Sequence, residues 1–241
     1  MPKLIFRIAN IEESAKIIWD FKEEIEKTKN WDFILIDLSK DLKKKFIGCR
    51  SFSKGIKNLL VKEIKSQYNR RKLIKLKQFL ERGWRGLDKM FWKEIERITG
   101  FDWRYEKYEC YVNNVAVGHY LIPNIIRVSE KNPYVIAEEL FHLHYWDIWK
   151  KIFKIRKKYP MKLTFGKEKW SVWHISETVV EFVLVDNPNL RSFFKNIRRE
   201  ESYPWLPKLR KQLFPLWKNR KDFIDFIVKA HKICRISFKL F

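Results

Sequence analysis

Between Val135 and Trp146 the chain reads VIAEELFHLHYW, and this run limits the fold more than any other stretch. It opens behind Asn132-Pro133, where asparagine caps free N–H groups and proline is tolerated at a first helical position. A helix that is apolar nearly all round belongs in an interior, so the chain has to build a core around it. Tyr145 aside, its ionisable side chains are Glu138, Glu139, His142 and His144. A buried carboxylate is costly unless it is paired, protonated or bound to a metal. Glu138 lies four residues before His142 and Glu139 three, so each is a surface neighbour of that imidazole. His144, two residues past His142, points roughly 160° away around the axis and is a poor substitute for it.

A second helix is expected over WSVWHISETVVEFVLVD (170–186). His174, Glu177 and Glu181 follow one another at intervals of three and four and share a stripe. Two carboxylates at that spacing repel and weaken a bare helix. A cation between them, metal or lysine or arginine, removes the objection. Two readings of these groups stand side by side: polar contacts satisfied within a core, or ligands converging on a metal. A Glu139-x-x-His142 pair is also the spacing of di-iron helical bundles. Those need a second such pair, and the chain offers only the reversed His174-x-x-Glu177.

AEELFHLHYW resembles the active-site helix of zincin metallopeptidases, whose HExxH supplies two zinc-binding histidines and a general-base glutamate. Glu138-Glu139-Leu140-Phe141-His142 occupies that frame, with Glu138 where the first histidine should stand. The resemblance implies Glu139 as the base and His142 as a ligand. In the glutamate-zincin branch a later helix supplies a third ligand, and Glu177, within SETVVEF, matches it. The resemblance spans about residues 108–186. It implies an α+β, mostly helical fold with a zincin-like core, a small antiparallel sheet and a helical N-terminal extension. It also implies a metal-dependent peptidase, or a degenerate relative, in which Glu139 activates a metal-bound water. Glu138, His142 and Glu177 would hold zinc, or manganese or iron, against a peptide or protein substrate. His174 and Glu181 would orient ligands from behind. Two carboxylates in place of one lower the Lewis acidity of the ion.

Charge supports a reading from another class. Lys and Arg number 52 against 29 acidic residues, a net +23, which attracts nucleic acid. The excess gathers in blocks at 62–85 and 191–221, with Arg70, Arg71, Lys72, Lys75, Arg198 and Arg199 as candidate contacts to RNA or DNA in a non-enzymatic protein. The rival explanation is compositional: Ile occurs 27 times and Ala only 5, the skew of an AT-rich genome. No familiar nucleic-acid motif is present.

Three regions follow: helical over 1–100, the zincin-like core over 101–190, and C-terminal helices over 191–241, in one compact unit. Helices are expected at 10–29, at 54–81 with a stop near Gly83 and Gly86, and from Leu87 to Thr99 before Gly100. Residues 31–38 (WDFILIDL) read as a strand or the lead into a helix. Short strands are expected at 108–112, 113–122 and 124–128 around an Asn-Asn turn. Helices follow at 133–158, 170–186, 204–217 and 219–235. The tryptophans, Trp146, Trp149, Trp170 and Trp173 among them, are read as core and groove walls, and His119 and His231 as surface or turn residues. Cys49, Cys110 and Cys234 are odd in number and far apart, which favours a reducing, cytoplasmic setting. No apolar run is long enough for a membrane span, and no cleaved signal peptide is expected.

Overall fold

Lys3–Ile8 (KLIFRI) forms β1, a strand that the sequence pattern did not announce. The computed structural model describes residues 1–121, 123–154, 170–194 and 203–233. It is mostly helical with a small sheet, the expected α+β class. Contacts divide the chain into two units, Lys3–Arg85 with Lys107–Glu139, and Met1–Pro2 with Gly86–Glu106 and Leu140–Phe241.

The first unit carries the sheet. β2 (Lys107–Val112) buries Tyr108, Cys110 and Val112 on one face, and burial pushes the Cys110 thiol up. β3 is His119–Leu121 and β4 is Ile125–Val128, and the order is β1-β2-β4-β3. The β1–β2 and β2–β4 pairs are parallel and only β3–β4 is antiparallel. The expected antiparallel sheet is therefore a mixed one. A hairpin can join only antiparallel neighbours, and β1 reaches β2 through the long helical excursion that separates them in sequence. Asn113 makes the expected turn: its buried side chain accepts from the N–H of Val115 and of Ala116. Residues 31–38 settle as neither strand nor helix. They hold a single bridge, Ile34 to Ala116.

Helices α1 (Ile11–Asp20) and α2 (Lys22–Thr28) replace the single helix expected over 10–29 and meet at Phe21. Asn10 and Glu13 form a reciprocal cap at the start of α1. With α3 (Lys40–Gly48) and α4 (Lys54–Gln67) they enclose a core of Ile18, Ile25, Phe46, Leu60 and Ile64.

The helix expected over 54–81 is divided differently. It breaks at Tyr68-Asn69, and α5 then runs from Arg70 to Thr99 straight through Gly83 and Gly86. A glycine ends a helix when the chain needs a left-handed residue. Of Gly83, Gly86 and Gly100 only the last adopts one, at φ 72°. Gly83 serves a close approach instead: a Cβ there would lie 2.6 Å from Pro133 Cγ, in the first turn of the helix that follows β4.

That helix, α6 (Pro133–Phe153), stops at Phe153; Lys154 is left-handed at φ 52°, and 155–158 lie outside the described residues. The second unit packs its C-terminal part with α7 (Val172–Val180), α8 (Leu206–Lys218) and α9 (Phe223–Ile233). Its interior is aromatic: Trp92 meets Trp103 edge-on at 4.6 Å, and Phe182 stacks on Trp217 at 5.2 Å. His231 is not a surface residue. It is buried, accepts the Trp149 indole N–H at 3.0 Å, and burial lowers its pKa to about 3. No helix among the described residues is long and apolar enough to cross a membrane.

Candidate metal centre

Helix α6 sets Glu138 and His142 one turn apart on one face, as their spacing requires. Helix α7 starts at a reciprocal cap in which the Ser171 N–H donates to His174 Nδ1 at 3.0 Å and Ser171 Oγ accepts from the His174 N–H. This cap fixes the helix so that Glu177, on its second turn, meets His142. His142 Nε2 and Glu177 Oε1 are 3.3 Å apart, both almost wholly buried.

Ligand atoms of Glu138, His142 and Glu177 all lie within 4.8 Å of one another, and the group can hold a metal ion. Two features of the geometry fit a cation. Ligands at 2.0–2.2 Å in a tetrahedron sit about 3.4 Å from each other, close to the His142–Glu177 separation. A charge-assisted hydrogen bond between the same atoms would be nearer ~2.8 Å. The second feature is charge. Two carboxylates this close repel unless a proton or cation lies between them, and a divalent ion would balance the charge of the pair.

Glu139 is buried on α6 beside these ligands and is not one of the three. Sequence reasoning missed Gly118 as its neighbour. A Cβ at Gly118 would stand 3.3 Å from Glu139 Oε1 and 2.7 Å from Val135 Cγ1, so only a glycine lets the chain before β3 pass so close to α6. The available signal was a glycine at the mouth of a strand pattern, which marks close backbone approach.

His144 points elsewhere, as expected. The Thr99 hydroxyl donates to the Ile95 carbonyl and lies 3.0 Å from His144 Nε2, so Nε2 carries the proton and donates to it. Burial, with Lys151 contributing, lowers the His144 pKa to about 3 and keeps the ring neutral against Trp103. His174 has its Nδ1 in the α7 cap, and burial lowers its pKa while Glu177 opposes the shift. Its ring is ringed by Trp170, Trp173 and Trp205. Glu181 is buried and opens a π-helical turn, Glu181–Val185, closed by the Asp186 N–H on the Glu181 carbonyl. Single π turns within helices recur at functional sites.

Arg70, Arg71, Lys72 and Lys75 are all exposed on the first turns of α5. Arg198 and Arg199 lie outside the described residues, as does part of the 191–221 block. Searches against family models, curated proteins and solved structures find no match to this chain.

Proposed function

We propose that the protein is a metal-dependent hydrolase of peptide bonds with a zincin-like centre, in which Glu138, His142 and Glu177 hold zinc, manganese or iron. The observation that carries the reading is the convergence of a turn-spaced Glu-His pair with a glutamate from a separate helix, their ligand atoms all within 4.8 Å of one another. A divalent ion in such a set supplies Lewis-acid polarisation of a carbonyl and a more acidic water. Glu139 takes up a proton at its carboxylate and returns it to the leaving amine, the general acid–base role its place beside the ligands allows. Gly118 leaves room for that carboxylate, since a Cβ there would stand 3.3 Å from Glu139 Oε1. His174 and Glu181 act through the helix that carries Glu177, the first by capping it and the second from the following turn.

The test is elemental analysis of the purified chain alongside cleavage of a quenched peptide library. Near-stoichiometric metal, lost in Glu177→Gln, together with chelator-sensitive cleavage abolished in Glu139→Gln, is the expected result. A chain that takes up no divalent ion when titrated calorimetrically with zinc or manganese overturns the proposal. Metal without cleavage in any peptide pool leaves the centre and removes the peptidase.

A further inference from the structure

Because α5 continues through Gly83 and Gly86, cations that the sequence placed on either side of a helix end fall on one line. At 100° per residue, Arg71, Lys75, Arg82, Arg85, Lys89 and Lys93 all lie within an arc of about 80°, with Gln78 the neutral member of the row. All six are exposed, and none enters an ion pair among the described residues. Other surface lysines are used: Lys57 pairs with Glu12, Lys77 with Glu81 and Lys229 with Asp225. From Arg71 to Lys93 the row carries no carboxylate. At 1.5 Å per residue it is about 33 Å long.

We infer that this face of α5 binds the phosphate backbone of single-stranded nucleic acid. A straight row of unpaired cations matches an extended chain of phosphodiesters, about six of them over this length. Its flanks carry Ile74, Phe79 and Met90, each about 40% exposed, which are apolar surfaces for unstacked bases. A lipid surface fits less well. Membrane-binding helices insert their apolar face, and that of α5 (Leu73, Leu80, Trp84, Leu87, Phe91) is already buried in the protein. The inference does not depend on the metal centre.

Fluorescence anisotropy with a labelled 20-nucleotide single strand, the matching duplex, and anionic phosphatidylserine vesicles tests it on the full chain. Single-strand binding is expected to weaken about 100-fold between 50 and 150 mM salt. Arg71→Gln, Lys75→Gln, Arg82→Gln and Arg85→Gln together should weaken it at least tenfold and reduce the log–log salt slope by about 3. A control with the same charge change elsewhere, Lys40→Gln, Lys44→Gln, Lys45→Gln and Lys54→Gln, should change it by less than threefold. An equal loss in the control overturns the assignment to α5, because binding then follows net charge alone. Tighter binding of the duplex, or of the vesicles, overturns the single-strand assignment. No binding to any probe overturns the inference outright.

Discussion

Two glycines three residues apart on α5 should respond to the same substitution with opposite signs. Gly86→Ala adds a Cβ that meets nothing within 4 Å. The gain is then the helix-propensity difference of about 0.8–1 kcal/mol, much of it from the lower entropy of the unfolded chain. For a chain of this length that raises Tm by roughly 2–4 °C. Gly83→Ala makes the same gain and sets it against a contact of 2.6 Å with Pro133 Cγ, with Pro133 Cβ at 3.5 Å behind it. Carbon atoms prefer about 3.5–4.0 Å, so the overlap is close to 1 Å, and a proline ring at the first turn of α6 has little freedom to yield. Overpacking of this kind costs about 1–3 kcal/mol, leaving Gly83→Ala destabilised by up to ~2 kcal/mol net. The two variants should differ by about 1–3 kcal/mol in urea unfolding followed by circular dichroism, with the slope unchanged. If Gly83→Ala were as stable as Gly86→Ala, α5 and the start of α6 would not approach as described. The placement of Glu138 one turn further on would lose its support.

The substituted ligand offers a direct test. On the proposed reading, Glu138→His adds a second imidazole to the set and should tighten zinc binding at least tenfold in competition with a chelating dye, whereas weaker binding would remove residue 138 from the centre. Gly118→Ala should cost about 1–3 kcal/mol of stability through Val135 and lower peptide cleavage more than peptide binding, because the new methyl stands against Glu139; unchanged turnover refutes a positioning role. Glu94 supplies the pH dependence. The Arg97 guanidinium, bonded to both its oxygens, and then Asn187 hold its pKa down at about 2 against 4.5. A depressed carboxylate stabilises above the unfolded value and loses that contribution as pH falls through the folded one, here between 4.5 and about 2. The shift corresponds to at most ~3 kcal/mol at pH 7. Glu94→Gln should therefore narrow its stability gap to the parent by up to ~2 kcal/mol between pH 7 and pH 3; a gap constant with pH refutes the ion pair.

The fold class was legible in the sequence, and so was the grouping of three side chains. Glu138, His142 and Glu177 could be named because helical spacing places side chains without knowledge of the tertiary structure, and because carboxylates in an apolar run demand a reason. What failed depends on partners distant in sequence. Nothing local in Lys3–Ile8 says that it pairs with Lys107–Val112, and that pairing makes the sheet mixed rather than antiparallel. Gly83 and Gly86 looked like helix ends because glycine often is one. The reason for Gly83 lies in Pro133, fifty residues on, and at Gly86 a Cβ would meet nothing within 4 Å. The error had a consequence. With the helix stopped at residue 83, Arg71 and Lys75 belonged to one basic block, and Lys89 and Lys93 to another segment. His231 was misjudged for a similar reason: the Trp149 indole that makes a buried neutral imidazole tolerable comes from another helix.

Burial along α6 bears on why a glutamate can stand at position 138. From Tyr134 to Trp149 every residue is buried except Glu138, which is partly exposed. His142 and Glu177, by contrast, keep only 3% and 4% of their side-chain surface. Burying a second full carboxylate would carry a desolvation cost of several kcal/mol before any ion arrived. A carboxylate that keeps part of its hydration avoids most of that cost. Of the three residues, Glu138 is thus the one where an anion is least expensive. It is the most exposed of them, and His142 and Glu177 are the most enclosed. This ordering ties the charge of the ligand set to its exposure. Removing an enclosed ligand by Glu177→Gln should abolish uptake, whereas Glu138→Gln, at the most exposed position, where a water can stand in, should weaken uptake without eliminating it.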